Sequence, residues 1–264
     1  MTKLFYTFIL LLFMIHADAQ RGFHIGVSGA FNSIWILNQN NYGTLAPFQI
    51  GVVRTSEMDY KPTWGGAFGI DLGYNFGRVV GIQSGVQYSF NGQHYEDKFL
   101  GPAIIGTDTF GTVGDRYVPV ERDIRLSYIQ VPVLVKFMTK PGRVAKFVAS
   151  FGPQIGIRTT AKEEIRVAGN IYVPGNYAFT LREKFKTLDV GFALNLGTEI
   201  YATDNLYFHV TLANYVAVTD LNGKALKSLG WYSQNDVEYQ KSFNLQTGLS
   251  VGIHYIIGEG RIYY

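Results

Sequence analysis

A chain of 264 residues with 15% aromatic residues, only 16% charged residues, 30 glycines and no cysteine cannot form disulfides, use a thiolate or carry a lipidated cysteine, and is too apolar to be disordered. Its formal net charge of +3 is small and dispersed, which argues against nucleic acid as a partner. Low charge with abundant glycine and aromatics fits a β-rich envelope protein built as one domain.

The chain opens MTKLFYTFILLLFMIHADAQ, with one basic residue (Lys3), an apolar run from Leu4 to Ile15 and the small-x-small triplet Ala17-Asp18-Ala19. This pattern predicts a secretory signal peptide over residues 1–19, cleaved after Ala19, and a mature domain over residues 20–264. The run is shorter than the ~20 apolar residues of a spanning helix, which sets aside an N-terminal anchor.

Large apolar residues then recur at every second position in eight segments, the period of an extended chain whose side chains alternate between two faces. The first is Phe23 to Phe31 (Phe23, Ile25, Val27, Phe31), the second Gly66 to Phe76 (Phe68, Ile70, Leu72, Tyr74, Phe76) and the third Val80 to Phe90. Ile129 to Phe137 and Ala145 to Ile157 are the fourth and fifth. The sixth reads LDVGFALNLGTEI from Leu188 to Ile200, and the seventh and eighth are Leu206 to Leu212 and Phe243 to Ile257. None of the eight apolar faces contains Asp, Glu, Lys or Arg, and the opposite faces are rich in Gly, Ala, Asn and Ser.

The connections alternate in length. Short ones follow the second, fourth and sixth segments (77–79, 139–144, 201–205), and long ones cover roughly 37–65, 91–128, 158–187 and 213–242. Short turns on one side and long loops on the other are the organisation of an outer-membrane barrel, with the apolar face toward lipid. The expected fold is therefore all-β: a closed antiparallel up-and-down transmembrane β-barrel of about eight strands, with short periplasmic turns and long extracellular loops. A soluble barrel would place charges on the outer face of its strands; here they gather in the loops, as in Glu96-Asp97-Lys98, Glu121-Arg122-Asp123 and Glu163-Glu164. Pro132 and Pro153 lie within spanning segments and call for a bulge or an interrupted ladder between the fourth and fifth strands.

The stretches LSYIQVPVLVKF, FGPQIGI and LDVGFALNLGTEI, with the signal peptide and a Gly-rich last strand, resemble the outer-membrane β-barrel family of Bacteroidota often called the PorT-like or porin family. The resemblance implies an outer-membrane barrel of about eight strands and carries over no residue with a defined role. The run Ser250 to Ile257 also resembles the terminal insertion signal of such barrels, although here Gly258 to Tyr264 follow it.

No G-x-S-x-G, phosphate-cradling loop, H-E-x-x-H or EF-hand pattern occurs, so neither a cofactor nor an enzymatic role is expected. A lipid-modifying barrel enzyme would have to use His94 with Glu96 or Asp97. Asp71, Lys136, Lys146, Arg158, Asp189 and Glu199 fall on the inward register and should fill the lumen by pairing: Arg158 with Asp189 near the outer end, Glu199 with Lys146 and Lys136 near the periplasmic end. The same register carries His24, His209 and His254 to the periplasmic mouth, where three imidazoles could hold Zn²⁺ or another borderline divalent ion. Pro174-Gly175 suits the centre of a type II turn, predicting one long hairpin of the fifth and sixth strands with its tip there. The reading that results is a non-enzymatic barrel embedded in outer-membrane lipid, plugged by polar side chains, that meets an extracellular or envelope protein partner through its loops. A narrow small-solute channel is the alternative.

Overall fold

The structure is a computed structural model that describes residues 22–39, 48–50, 53–55, 59–77, 79–100, 103–105, 108–110, 117–139, 145–172, 181–224 and 239–257. The signal peptide, the tail beyond Ile257 and Pro174-Gly175 lie outside them. In chain order the strands are β1 (Gly22–Leu37), β2 (Phe48–Ile50), β3 (Val53–Thr55), β4 (Asp59–Lys61), β5 (Trp64–Asn75), β6 (Val80–Leu100) and β7 (Ala103–Ile105). They continue with β8 (Asp108–Phe110), β9 (Tyr117–Met138), β10 (Ala145–Val167), β11 (Asn170–Tyr172), β12 (Leu188–Tyr201), β13 (Leu206–Ala217) and β14 (Phe243–Ile257), with one helical turn, α1 (Leu181–Lys184).

Eight strands close antiparallel into a ring in the order β1, β5, β6, β9, β10, β12, β13, β14, which returns to β1. Closure runs from Phe23↔Ile257 to Leu37↔Phe243, so the first and last spanning strands share a full ladder and leave no edge. β4 and β11 add at the margins to make a sheet of ten, and β2, β3, β7 and β8 form a separate small sheet. No helix among the described residues is long and apolar enough to cross a membrane.

The alternation has the expected sense. Phe147 is 72% exposed and Val27, Phe68, Phe151, Phe192 and Leu249 are likewise outside, while His24 and Lys136 are wholly buried within. In water so much apolar surface would be untenable, and lipid is the solvent that makes it stable. The two prolines are absorbed by interruption. On one side the β9–β10 ladder skips from Phe151↔Val135 to Gln154↔Pro132, on the other the β6–β9 ladder skips from Ser84↔Val133 to Gln87↔Gln130, and the register is unchanged across both gaps. The Ser84 hydroxyl donates to the Pro132 carbonyl at 2.7 Å, satisfying a group the gap would strand.

Three strands outrun the expectation. β6, β9 and β10 continue well beyond Phe90, Ile129 and Ile157, so the stretches read as loops around Glu96, Arg122 and Glu163 are paired strand. Their polarity inverts as they leave the membrane. On β9, Ile129, Val133 and Phe137 face outward, but above Ser127 the outward residues are Arg125, Asp123 and Glu121 while Leu126, Ile124 and Val120 turn in. The alternation is ordinary for a strand in water, and charges alternating with apolar residues had disguised it as loop. β10 needs a correction of register to join: Arg158 pairs with Tyr128 and Thr160 with Ser127, leaving Thr159 as an extra residue. This bulge changes the inward parity from even (Gln154, Gly156, Arg158) to odd (Ala161, Glu163, Ile165). The Thr159 hydroxyl donates to the Ser127 carbonyl at 3.1 Å.

The long β10–β12 hairpin anticipated with its tip at Pro174-Gly175 is not formed. β12 pairs with β10 only as far as Ile157↔Leu188; beyond it β10 stays with β9 and reverses at Ala168-Gly169, both at positive φ (50° and 80°), into the short β11. A two-residue turn with both residues in the left-handed region is the tight hairpin geometry.

Candidate functional site

The lumen has three levels. At the end marked by the short turns, Lys136 of β9 donates to Glu199 of β12 at 3.0 Å, and the Tyr201 hydroxyl donates to the other Glu199 oxygen at 2.9 Å. Lys146 reaches the same cluster through Tyr201, with its ammonium 3.2 Å from the hydroxyl and 4.5 Å from the ring centroid. Tyr201, Tyr207 and Ile256 pack together beside this pair. Two charges removed from water at this depth are tolerable only because each is matched.

All three inward histidines come to this end. The Nδ1 of His209 lies 2.7 Å from the Nε2 of His254, and the His24 and His254 ring centroids are 5.6 Å apart. His24, however, spends its nitrogens elsewhere: Nδ1 is 3.1 Å from the Tyr207 hydroxyl and Nε2 is 3.5 Å from the Lys136 ammonium. The carboxylate of Asp71, expected among the lumen charges, instead approaches His254, with Oδ2 3.8 Å from Nε2. Glycines make the room: a Cβ on Gly26 would lie 2.3 Å from His254 Nδ1, on Gly252 2.5 Å from His209 Cε1, and on Gly73 2.3 Å from His24 Nε2.

Above this lies a polar cavity of about 80 Å³, lined by Asp71, Gln87, Gln130, Gln154, His209 and Gln246 among others. At roughly 10–15 Å³ for each water it has room for a handful. Gln130 Nε2, Gln246 Nε2 and Asn32 Oδ1 are buried without protein partners and border it, and water is the partner such groups take.

The outer level is a closed crown. Ile36, Tyr95, Val120, Ile124, Leu126, Tyr128, Ile165, Phe185 and Leu221 form a buried cluster above the lumen, each worth roughly 1.5–3 kcal/mol over exposure. Inside it, Arg122 donates through Nε to Glu163 at 2.6 Å, and Lys184 of α1 donates to the second Glu163 oxygen at 2.6 Å. Burial alone would raise the Glu163 carboxyl, but Lys184 and Arg122 hold it below the usual carboxylate range. The Arg122 guanidinium also donates to the Gln39 carbonyl and to its side-chain oxygen, and Gln39 donates in turn to Asn222 and to Ser242. Arg158 and Asp189 lie just below on adjacent strands and turn to different partners: Arg158 donates to the carbonyls of Phe185 (3.0 Å) and Lys186 (3.1 Å), and Asp189 accepts from Asn244 and Thr219.

On the outer surface of the crown His94 Nδ1 lies 2.9 Å from Asp123 Oδ1, with Glu96 Oε2 3.8 Å from Nε2. The nitrogen that a hydrolase would turn to a hydroxyl nucleophile faces a carboxylate here. The side chain of Asp97 lies outside the described residues. Reasoning from sequence missed the Arg122–Glu163–Lys184 network and the tyrosine plug. The inverted alternation Val120, Arg122, Ile124, Leu126 was the available signal for the first; the aromatic residues at strand ends gave none that separates a plug from an interface anchor.

A closed barrel with a lipid-compatible exterior and a polar interior defines a transmembrane β-barrel protein of the outer membrane. Residues 16–223 match the outer membrane protein beta-barrel domain family, to which the chain belongs. Among solved structures, Neisserial surface protein A is similar at 10% identity, with a TM-score of 0.39 over 89% of this chain and 97% of that one. OprG of Pseudomonas aeruginosa is similar at 8% identity and a TM-score of 0.38, over 91% and 99%. Ail of Yersinia pestis, solved with the heparin analogue sucrose octasulfate, is similar at 8% identity and a TM-score of 0.29, over 88% and 99%. A search of curated protein sequences finds no match.

Proposed function

We propose that the protein is a non-enzymatic outer-membrane barrel that works through its extracellular crown as a binding or structural element, with a lumen that does not conduct. Burial at both ends supports the reading: Tyr201, Tyr207 and Ile256 pack together at one end and the crown cluster at the other. An eight-stranded barrel is only wide enough for side chains to fill. Planar-bilayer recordings of the refolded protein should therefore show no stable conductance. Large, persistent openings would replace this reading with the channel.

The folded β6–β9–β10 crown offers a rigid platform to an extracellular or envelope protein, which supports action from the surface rather than through the lumen. The His94–Asp123 pair supports the enzymatic alternative, and lipid A from expressing cells distinguishes the two. The proposal expects an identical lipid profile with wild type and His94→Ala. The motifs of β9, β10 and β12 support placing the chain in the PorT-like branch from Bacteroidota, and the Ala17-Asp18-Ala19 triplet supports cleavage of a signal peptide. N-terminal sequencing of protein purified from outer membranes should begin at Gln20.

A further inference from the structure

His209, His254 and Asp71 come from three different strands, β13, β14 and β5, and converge on one point in the lumen. Each is at least nine-tenths buried (8%, 1% and 2% exposed). One ligand atom from each lies within 4.8 Å of the others; His254 Nε2 is 2.7 Å from His209 Nδ1 and 3.8 Å from Asp71 Oδ2. Gly26 makes the meeting possible: on β1 it is the register partner of both His254 and Asp71, and lacking a side chain it lets them reach across the strand between them.

Each ligand is also held from behind. His209 Nε2 lies 3.3 Å from the Ser250 hydroxyl, Gln87 donates to Asp71 Oδ1 at 3.4 Å, and His254 stacks on Tyr207 at 4.8 Å between centroids. The hydrogen bonds aim the His209 ring and the Asp71 carboxylate, as the outer partners of metal-binding side chains do, and stacking holds the plane of the His254 ring. All three residues border the polar cavity, which has room for a water as fourth ligand.

We propose that Asp71, His209 and His254 form a binding site for a borderline divalent cation, with Zn²⁺ as the best fit to two imidazoles, one carboxylate and a water. The two neutral imidazoles share one hydrogen across their 2.7 Å contact. The cation takes the place of that hydrogen, and the imidazole that carried it holds its proton on the far nitrogen, so no proton leaves. Zn–N bonds of about 2.0–2.1 Å in a tetrahedron set the two nitrogens roughly 3.3 Å apart, so the rings must part by about half an ångström, toward the cavity. His24 is excluded from the set because its nitrogens face Tyr207 and Lys136. This site is independent of what the crown binds.

The test is metal analysis of tag-free protein refolded with Zn²⁺ into detergent, washed free of loose metal, its folding verified by the gel shift between unboiled and boiled samples. About one Zn²⁺ per chain is expected for wild type and for His24→Ala. Asp71→Asn and His254→Ala should weaken binding by at least tenfold, as should Gly26→Val, which keeps all three ligand residues but displaces the His254 ring, since a Cβ there would lie 2.3 Å from its Nδ1. Should His254→Ala fail to refold, Ser250→Ala carries the test with an expected loss of about tenfold. Metal-free wild type, equal metal in Asp71→Asn, or loss of metal in His24→Ala would each overturn the site.

Discussion

At the scale of single residues, the Lys136–Glu199 contact is a buried ion pair at the periplasmic end. Both side chains are almost fully buried and the pair is backed by Tyr201. Removing one member of a buried pair leaves an unmatched charge and typically costs about 3–5 kcal/mol, whereas replacing both is often close to neutral. Lys136→Met alone should therefore lower unfolding stability by about that amount, and Lys136→Met with Glu199→Gln should recover more than half of it. Urea titration in lipid vesicles measures both, and strictly additive losses would contradict the pairing. These two residues were legible in sequence because an ionisable side chain within a spanning strand has few places to go. The roles of Tyr201 and Asp71 were not: a phenol that carries Lys146 to Glu199, and a carboxylate that chooses histidine over lysine, depend on which strands end up opposite across the lumen.

Among the elements, strand parity beyond the Thr159 bulge decides which carboxylate enters the crown. Glu163 points inward to Arg122 and Lys184, while Glu164 points outward to Arg166. Deleting Thr159 removes only the extra residue and leaves Glu163 on the inward register, whereas inserting one alanine between Lys162 and Glu163 turns Glu163 away from Arg122 and Lys184 and carries Arg166 inward. The expected outcome for the insertion is a barrel that keeps its heat-modifiable gel mobility but whose crown is cut rapidly by trypsin, while the deletion stays resistant. An insertion variant as protease-resistant as wild type would show that strand parity does not decide which carboxylate is buried. The eight spanning strands could be read from sequence because their outward positions are mostly apolar and carry no Asp, Glu, Lys or Arg. Beyond the membrane that demand ends, so the outer parts of β6, β9 and β10 looked like loops, and a one-residue bulge leaves no mark in hydrophobic periodicity.

For the molecule as a whole, the closure of the ring and the side carrying the short turns followed from the sequence, whereas the plugged crown emerged only from packing between distant segments. It gathers Ile36 of β1, Phe185 beside α1 and Leu221 after β13 over one end of the barrel. That gathering depends on Glu163 staying ionised. Its folded-state carboxyl is held below the ordinary value of 4.5, so the stability it contributes is fully present above that value and is lost as pH falls through the lower folded one. The crown should therefore loosen in acid while the lipid-embedded ring persists. Amide exchange at pH 7 and at about pH 3, corrected for intrinsic rates, should show protection falling selectively in 119–127 and 160–167. Uniform loss across the barrel strands would point to a different acid-sensitive element.

The inversion of polarity along β9 has a further consequence for how the gene can vary. Selection acts on one continuous strand under two opposite rules that meet near Ser127. In a saturation library scored for outer-membrane assembly, odd positions from 129 to 137 should reject acidic and basic substitutions, while 121, 123 and 125 accept them. At 120, 124 and 126 the intolerance should return on the even positions, so the fitness profile changes phase by one residue where the chain crosses from lipid into water.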